Sequence, residues 1–333
     1  MKNFDLGKDK ISKLLLNFSI PCIISMLVGA LYNIVDQIFI GWGVGYLGNT
    51  ATNVVYPFTV IALSLALLIG DGASALFSLS LGSGDKEKVS KSIGNAVVTL
   101  IVVSLLLTDI GFLFKDEILH LFGVTEASFS YANQYLSVIL IGLPFYIIGQ
   151  GLNGIIRADG SPKYAMIATL SGAILNIILD PIAIFSLEWG VKGAAIATIV
   201  GQIVTFILTG IYFIKPKKFK LNKESLKLDF KLVKNEMLLG ISSFITQISI
   251  VLVIAVCNNL VVKYGALSKY GADIPLSAIG IVMKVFVIVI ALVIGTSIGG
   301  QPIIGFNYGA GNESRVKETF KLILKINLGV GII

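Results

Sequence analysis

The sequence predicts an all-α polytopic membrane protein made of two parallel six-helix repeats, the second incomplete, with about eight complete spans and the start of a ninth. Three observations predict it. Hydrophobic residues make up 55% of the 333 and charged residues only 14%, with mean hydropathy +0.89, whereas a soluble globular domain carries about a quarter charged residues. Apolar runs of about 20 residues or more, the length that crosses a bilayer, recur between short polar connections. A segment near residue 82 returns near residue 309.

The runs follow in order. The first, 14–42, comes after MKNFDLGKDKISK, a polar stretch longer than a signal-peptide n-region, and no small-residue cleavage pattern follows, so it is expected to be a retained span. The second, 53–81, closes on LGSGDKEKVSKS, and the third, 91–114, ends at Lys115. The fourth, 129–156, leads into Arg157 and Lys163, and the fifth and sixth cover 164–187 and 191–214. The seventh and eighth, 236–263 and 275–306, flank Lys263 and Lys269, and a ninth begins near Thr319. Pro21, Pro57, Pro144 and Pro181 lie inside runs as kink points, which a helix bundle tolerates.

Lys and Arg alternate with the spans. One side collects Lys2, Lys8, Lys10 and Lys13, then Lys86, Lys88 and Lys91, then Arg157 and Lys163, the lysines from Lys215 to Lys234, and Arg315, Lys317 and Lys321. The other side has Lys115, Lys192, Lys263 and Lys269. Positive loops stay in the cytoplasm, so the N-terminus is expected there. The net charge of +7 is explained by this clustering rather than by a nucleic-acid surface.

KPKKFKLNKESLKLDFKLVKNE is the one long charged interruption. It divides the chain into a six-helix lobe at 1–214, a cytoplasmic linker at 215–235 and an incomplete second lobe at 236–333. LGSGDKEKVSKS resembles YGAGNESRVKET, with Gly82, Gly84 and Val89 matching Gly309, Gly311 and Val316 about 227 residues later. Six spans is an even number, so both repeats enter the membrane in the same orientation. By this symmetry about three and a half spans are expected to be missing from the second repeat.

An ionisable residue inside a span costs about 2.5–3.5 kcal/mol on insertion scales and points to function. Asp36, Asp71, Asp109 and Asp180 qualify; Asp109 is near a helix end, and Asp71 is a secondary candidate with either a functional or an anchoring role. Asp36 and Asp180 stand at a similar predicted depth, about 10 Å from the outer end of their spans. Asn176 precedes Asp180 by one turn, on the same face, and Thr198 reaches similar depth. Two carboxylates, an amide and a hydroxyl are hard oxygen ligands for Na⁺, or a pair that holds a proton; the same groups also suit an interhelical hydrogen-bond cluster. Lys284 lies deep in the eighth run, as a gate or an ion-pair partner. Tyr32, Phe39, Phe58, Phe145 and Tyr146 supply surface for flat cations or for helix packing. Cys22 and Cys257 read as small apolar residues rather than a bridge or metal site, and His120, the single histidine, as solvated.

Several segments together resemble the multidrug and toxic compound extrusion (MATE) family, in its MepA-like bacterial branch. They are FSIPCIISMLVGALYNIVDQIFIG, LGSGDKEKVSKS, LNGIIRADGSPKYAMI and GQPIIGFNYGAGNESRVK. The resemblance implies a twelve-span exporter of two lobes that alternates access, exchanging an incoming cation for an outgoing organic compound. Under it, Asp36 matches the family's first-helix aspartate, and Asn176, Asp180 and Thr198 match its first-lobe cation cluster.

The expected function is thus export of small organic cations or other drug-like compounds, coupled to H⁺ or Na⁺, from a bacterial plasma membrane. Membrane lipid is the surrounding partner; no nucleic acid, obligatory protein partner or organic cofactor is expected. A lipid-linked oligosaccharide flippase of related architecture is opposed by the scarcity of cationic side chains in the first six spans. A channel or non-transporting scaffold remains a distinct alternative. No HExxH, nucleophile elbow, phosphate loop or paired-histidine motif favours an enzyme.

Overall fold

The computed structural model describes the backbone of residues 4–265, 267 and 273–332. Side chains 254, 255, 258, 259, 262, 265, 273–281 and 283–285 fall outside the described residues, Lys284 among them. The chain folds into α1 (Ile11–Gly43), α2 (Tyr46–Ser83), α3 (Lys86–Leu113), a short α4 (Lys115–Leu121), α5 (Glu126–Ala158) and α6 (Pro162–Pro181), continued by a π-helical turn at Ile182–Ser186. Then come α7 (Gly190–Tyr212), α8 (Phe230–Gly265), α9 (Asp273–Gly309) and α10 (Glu313–Ile332). Eight of these segments are long and apolar enough to cross a membrane, one for each predicted run. The protein is an integral membrane protein of helices. Its exposed leucines and isoleucines, among them Leu105, Leu106, Ile141, Ile178, Ile207 and Ile211, form the lipid-facing surface that a water-soluble protein would bury.

Helix ends follow local chemistry. Gly84 after α2 and Gly311 after α9 adopt φ of 78° and 74°, the left-handed conformation that only glycine takes without strain. The two glycines matched by the sequence repeat therefore end equivalent helices in the same way. Asp85 starts α3 by accepting from the Lys88 N–H at 3.0 Å, and Thr125 with Ser128 forms a capping box on α5. Pro21, Pro57 and Pro144 are accommodated within α1, α2 and α5.

The helices extend a few residues past several of the predicted runs, most at two boundaries. The second span begins at Tyr46 rather than 53, since 38 residues of α2 continue into the interface past the about 20 needed to cross. Helix α8 begins at Phe230, inside the stretch expected to be linker, so the charged connection shortens to 213–229. That connection is seated on the first six spans. Asp159, with no exposed surface, accepts from the backbone N–H groups of Lys217 and Lys218 at 2.7 and 2.9 Å and from the Tyr212 hydroxyl at 2.6 Å. Burial pushes the Asp159 carboxyl above its usual range, and these donors pull it back down. The Asn95 amide donates to the Lys227 carbonyl at 3.2 Å while its oxygen accepts from Asp229 N–H at 2.7 Å.

The main core joins α2, α3, α5 and α7 through Phe58, Phe77, Leu100, Leu136, Leu140 and Ile199. Helix α1 joins it near its end, through Ile40. Its first half packs Leu14, Leu15 and Phe18 against Ile303 of α9 and Ile323 of α10, while the helix also packs on α6. That double contact sets Asp36, in the second half of α1, against Asp180.

Candidate functional site

Glycine brings α6 and α7 together. A methyl on Gly172 would run into the Gly201 carbonyl, and one on Gly201 into that of Gly172, so the backbones touch. Asn176, one turn after Gly172, thereby reaches Thr198: its amide donates to the Thr198 hydroxyl at 3.4 Å and to Asp180 Oδ1 at 3.1 Å. The Asp36 carboxyl, on α1, neighbours that of Asp180. Pro181 follows Asp180 directly, and the helix widens there into the π-helical turn.

All four residues selected in the sequence thus meet at one place. Asp180, Asn176 and Asp36 are 0, 2 and 8% exposed. Asp36 Oδ1, Asn176 Oδ1 and Asp180 Oδ2 have no hydrogen-bond partner among the described residues. Three orphaned oxygens, one on each of two neighbouring carboxyl groups and one on an amide, are a donor set for a small hard cation or for a proton, because two buried like charges repel strongly.

Two cavities meet this cluster. The larger, about 180 Å³, has Asp36, Tyr32, Tyr56, Tyr135 and Gln202 in its wall and extends to Gln247 of α8. The smaller, about 50 Å³, is lined by Asn176, Phe145 and Gly172. Tyr32, Tyr146, Thr198 and Gln202 border both. Of the other aromatic candidates, Phe58 is core and Phe39 stacks edge-on with Phe185 and Trp42, away from the cavities.

Asp71 belongs to a different cluster. Its carboxylate lies 3.5 Å from the Arg157 guanidinium and accepts from the Ser243 hydroxyl at 2.8 Å, while its backbone carbonyl accepts from Gln301 at 3.1 Å. It therefore ties α2 to α5, α8 and α9. Asp109 is exposed on α3, and Cys22 and Cys257 are free thiols. Lys284 lies outside the described side chains.

Two buried acids escaped the sequence analysis: Asp159, which holds the charged connection, and Glu236. Glu236 stands at the mouth of the seventh run, next to the charged connection, where an acid reads as solvated. In the fold it is 1% exposed and packed on α2. Helix α8 starting six residues earlier was the missing signal.

The MatE family model matches residues 21–182 and 242–333 of the chain. The multidrug export protein MepA of Staphylococcus aureus is 28% identical over 333 residues, covering 98% of this chain and 70% of MepA. Solved structures share the fold. A multidrug resistance MATE family transporter of the MOP superfamily, in an outward-facing conformation, superposes with a TM-score of 0.91 at 22% identity, covering 100% of this chain and 73% of that one. A MOP superfamily transporter from Pyrococcus furiosus, described as having a binding pocket of reverse polarity, gives 0.90 at 22% identity and covers 100% and 73%.

Proposed function

Because this chain belongs to the MatE family, we propose that it exports drug-like organic compounds, cationic ones foremost, in exchange for H⁺ or Na⁺ by alternating access. One observation carries the reading. Asp36 and Asp180 adjoin in a buried cluster with three unpartnered oxygens, and that cluster opens on two cavities. Such a site needs a cation or a proton for charge balance, and the cavities connect it to an aromatic-lined space. The donor set of carboxylate, amide and hydroxyl oxygens suits Na⁺ as well as H⁺.

The lysine-rich side is cytoplasmic in this reading, in a bacterial plasma membrane. Residues 1–214 act as one lobe and the helices after the charged connection belong to a second. Loading the cluster neutralises the carboxyl pair and changes how the second half of α1 packs on α6. Substrate held in the larger cavity, where Tyr32 and Tyr56 offer ring faces to a flat cation, then loses its place and leaves outward. Coupling follows only if the ion binds the two states with different affinity.

Ethidium efflux from vesicles carrying this chain, under an imposed H⁺ or Na⁺ gradient, tests the reading. Gradient-driven efflux is expected with one of the two ions, and its loss is expected in Asp36→Asn and Asp180→Asn. Full efflux in both variants would remove the cluster from the mechanism. Conductance without coupled flux would make the protein a channel.

A further inference from the structure

Glu236 is a buried carboxyl that the Asp36–Asp180 cluster does not use. It is 1% exposed, and neither Oε1 nor Oε2 has a hydrogen-bond partner among the described residues. It sits where α8 and α2 touch. A methyl on Gly72 would run into the Glu236 carbonyl, and one on Gly240, a turn further along α8, into the Leu68 carbonyl. Ser243, on the same stripe of α8, holds the Asp71 carboxylate at 2.8 Å. The seam lies toward the lysine-rich end, beside the start of α8.

The internal repeat shows how unusual this acid is. Shifted by about 227 residues, Leu68 and Gly72 correspond to Gly295 and Gly299 of α9. Those two glycines pack against Ile23 and Ser19 of α1. Gly299 thus meets Ser19 in the α1–α9 seam where Gly72 meets the Glu236 backbone in the α2–α8 seam. The Ser19 hydroxyl is satisfied, donating to the Thr296 carbonyl at 3.3 Å. One seam holds a small hydroxyl with its hydrogen bond made, and beside its counterpart lies a buried carboxyl with none among the described residues.

Charged neighbours do not compensate it. On α2, Asp71 is occupied by Arg157 of α5. Near the start of α3, Glu87 and Lys91 pair with each other, and Lys86 and Lys88 are exposed, as are Lys231 and Lys234 on α8 itself. Asp109, further along α3, is exposed; Asp273 and Lys284 on α9 have side chains outside the described residues. No hydrogen bond or ion pair joins Glu236 to any described group. An ionised carboxylate enclosed this way is strongly disfavoured, whereas water entering an open seam would solvate it.

We propose that Glu236 is a second proton-binding site, one that carries its proton while the α2–α8 seam is closed and gives it to the cytoplasm when the seam opens. The inference deepens the exporter reading and rests on it for the opening of that seam during transport. Protons then act on the seam by linkage: closing takes one up, so acid favours closure and alkali favours opening. One coupled proton changes the open-to-closed ratio by at most about tenfold per pH unit.

The test places spin labels at Ser83→Cys and Lys231→Cys, both exposed, on the full chain in lipid nanodiscs with Cys22→Ser and Cys257→Ser. The label separation is measured from acid to alkaline buffer. The population of longer separations is expected to grow with pH in the unsubstituted chain, and in Glu236→Gln to stay at the closed value throughout. The same series in an Asp36→Asn, Asp180→Asn background removes the other carboxyl pair and should keep the response. Infrared difference spectra of the chain with native Glu236 give a second readout that does not depend on how a variant folds: a protonated-carboxyl band should vanish as the seam opens. A pH response unchanged in Glu236→Gln, no pH response in the parent, or no such band would overturn the proposal. Efflux in the same preparations separates the two readings. Gradient-driven export with an unaltered seam response in Glu236→Gln sinks this inference alone, and a Glu236-dependent seam response without export sinks the exporter reading alone.

Discussion

Asp71 and Asp180 are both buried aspartates on long apolar helices, and their surroundings differ in kind. Asp71 has a cation, a hydroxyl donor and helices from both repeats around it: Arg157, Ser243 and, on its carbonyl, Gln301. Asp180 has a second carboxyl, an amide and a hydroxyl, all within the first six spans, and its Oδ2 has no partner among the described residues. The first arrangement is closed, since its charge is balanced by the chain itself. The second has no such fixed balance, which is why the proposed reading gives it a cation or a proton that comes and goes. Burial and residue type do not separate the two; the partner does.

The largest effect that would break this contrast is at Asp180. Asp180→Asn is expected to lower gradient-driven ethidium efflux at least tenfold while leaving thermal stability in detergent unchanged or higher, because it removes a buried charge that nothing fixed compensates. A variant that unfolds instead would show that Asp180 is an anchor like Asp71. Next comes Arg157→Met, which strands Asp71 without its cation and should cost about 3 kcal/mol, seen as a lowered unfolding temperature. Adding Asp71→Asn to it should recover most of that loss, the non-additivity expected of a fixed pair. No such recovery would mean that the long 3.5 Å contact contributes little.

Smaller effects sharpen the picture. Gly82 of α2 meets the Phe306 carbonyl, and Gly309 of α9 meets that of Leu79, a reciprocal contact between residues that the repeat makes equivalent. Gly82→Ala and Gly309→Ala should each destabilise by about 1–3 kcal/mol through overpacking, and by similar amounts in both, as symmetric positions require. Unequal losses in calorimetry would argue against the two-fold relation. Last, Thr198→Val removes the acceptor of a 3.4 Å bond from Asn176. A loss of about 0.5–1 kcal/mol at the site should appear as a few-fold rise in the coupling-ion concentration for half-maximal efflux.

Much of the fold was legible before any coordinates. Apolar length marked eight spans because a bilayer imposes a minimum on every crossing, and Gly84 and Gly311 marked two helix ends because few other residues tolerate a positive φ. The cluster was legible as well. Asp36 and Asp180 are expensive where they stand, and Asn176 shares a face with Asp180 by the helical period alone. Partners were not legible. Arg157 lies far from Asp71 in the chain, at the end of α5, and reads as a loop charge; Glu236 reads as the last acid of a linker until α8 is seen to begin at Phe230.

What the sequence determined by itself was one-dimensional: which stretches enter the membrane, which loops carry positive charge, where helices end, and which acids sit at a given depth. Each of these depends on a residue's own chemistry and its neighbours within a turn or two. The tertiary structure decided which acid meets which partner, that α1 packs on α9 as well as on α6, and that a buried serine stands at one seam between the repeats and a buried glutamate beside the other. Those outcomes depend on backbones approaching at glycines and on side chains tens or hundreds of residues apart. Depth along one helix carries no information about the angle at which another will cross it.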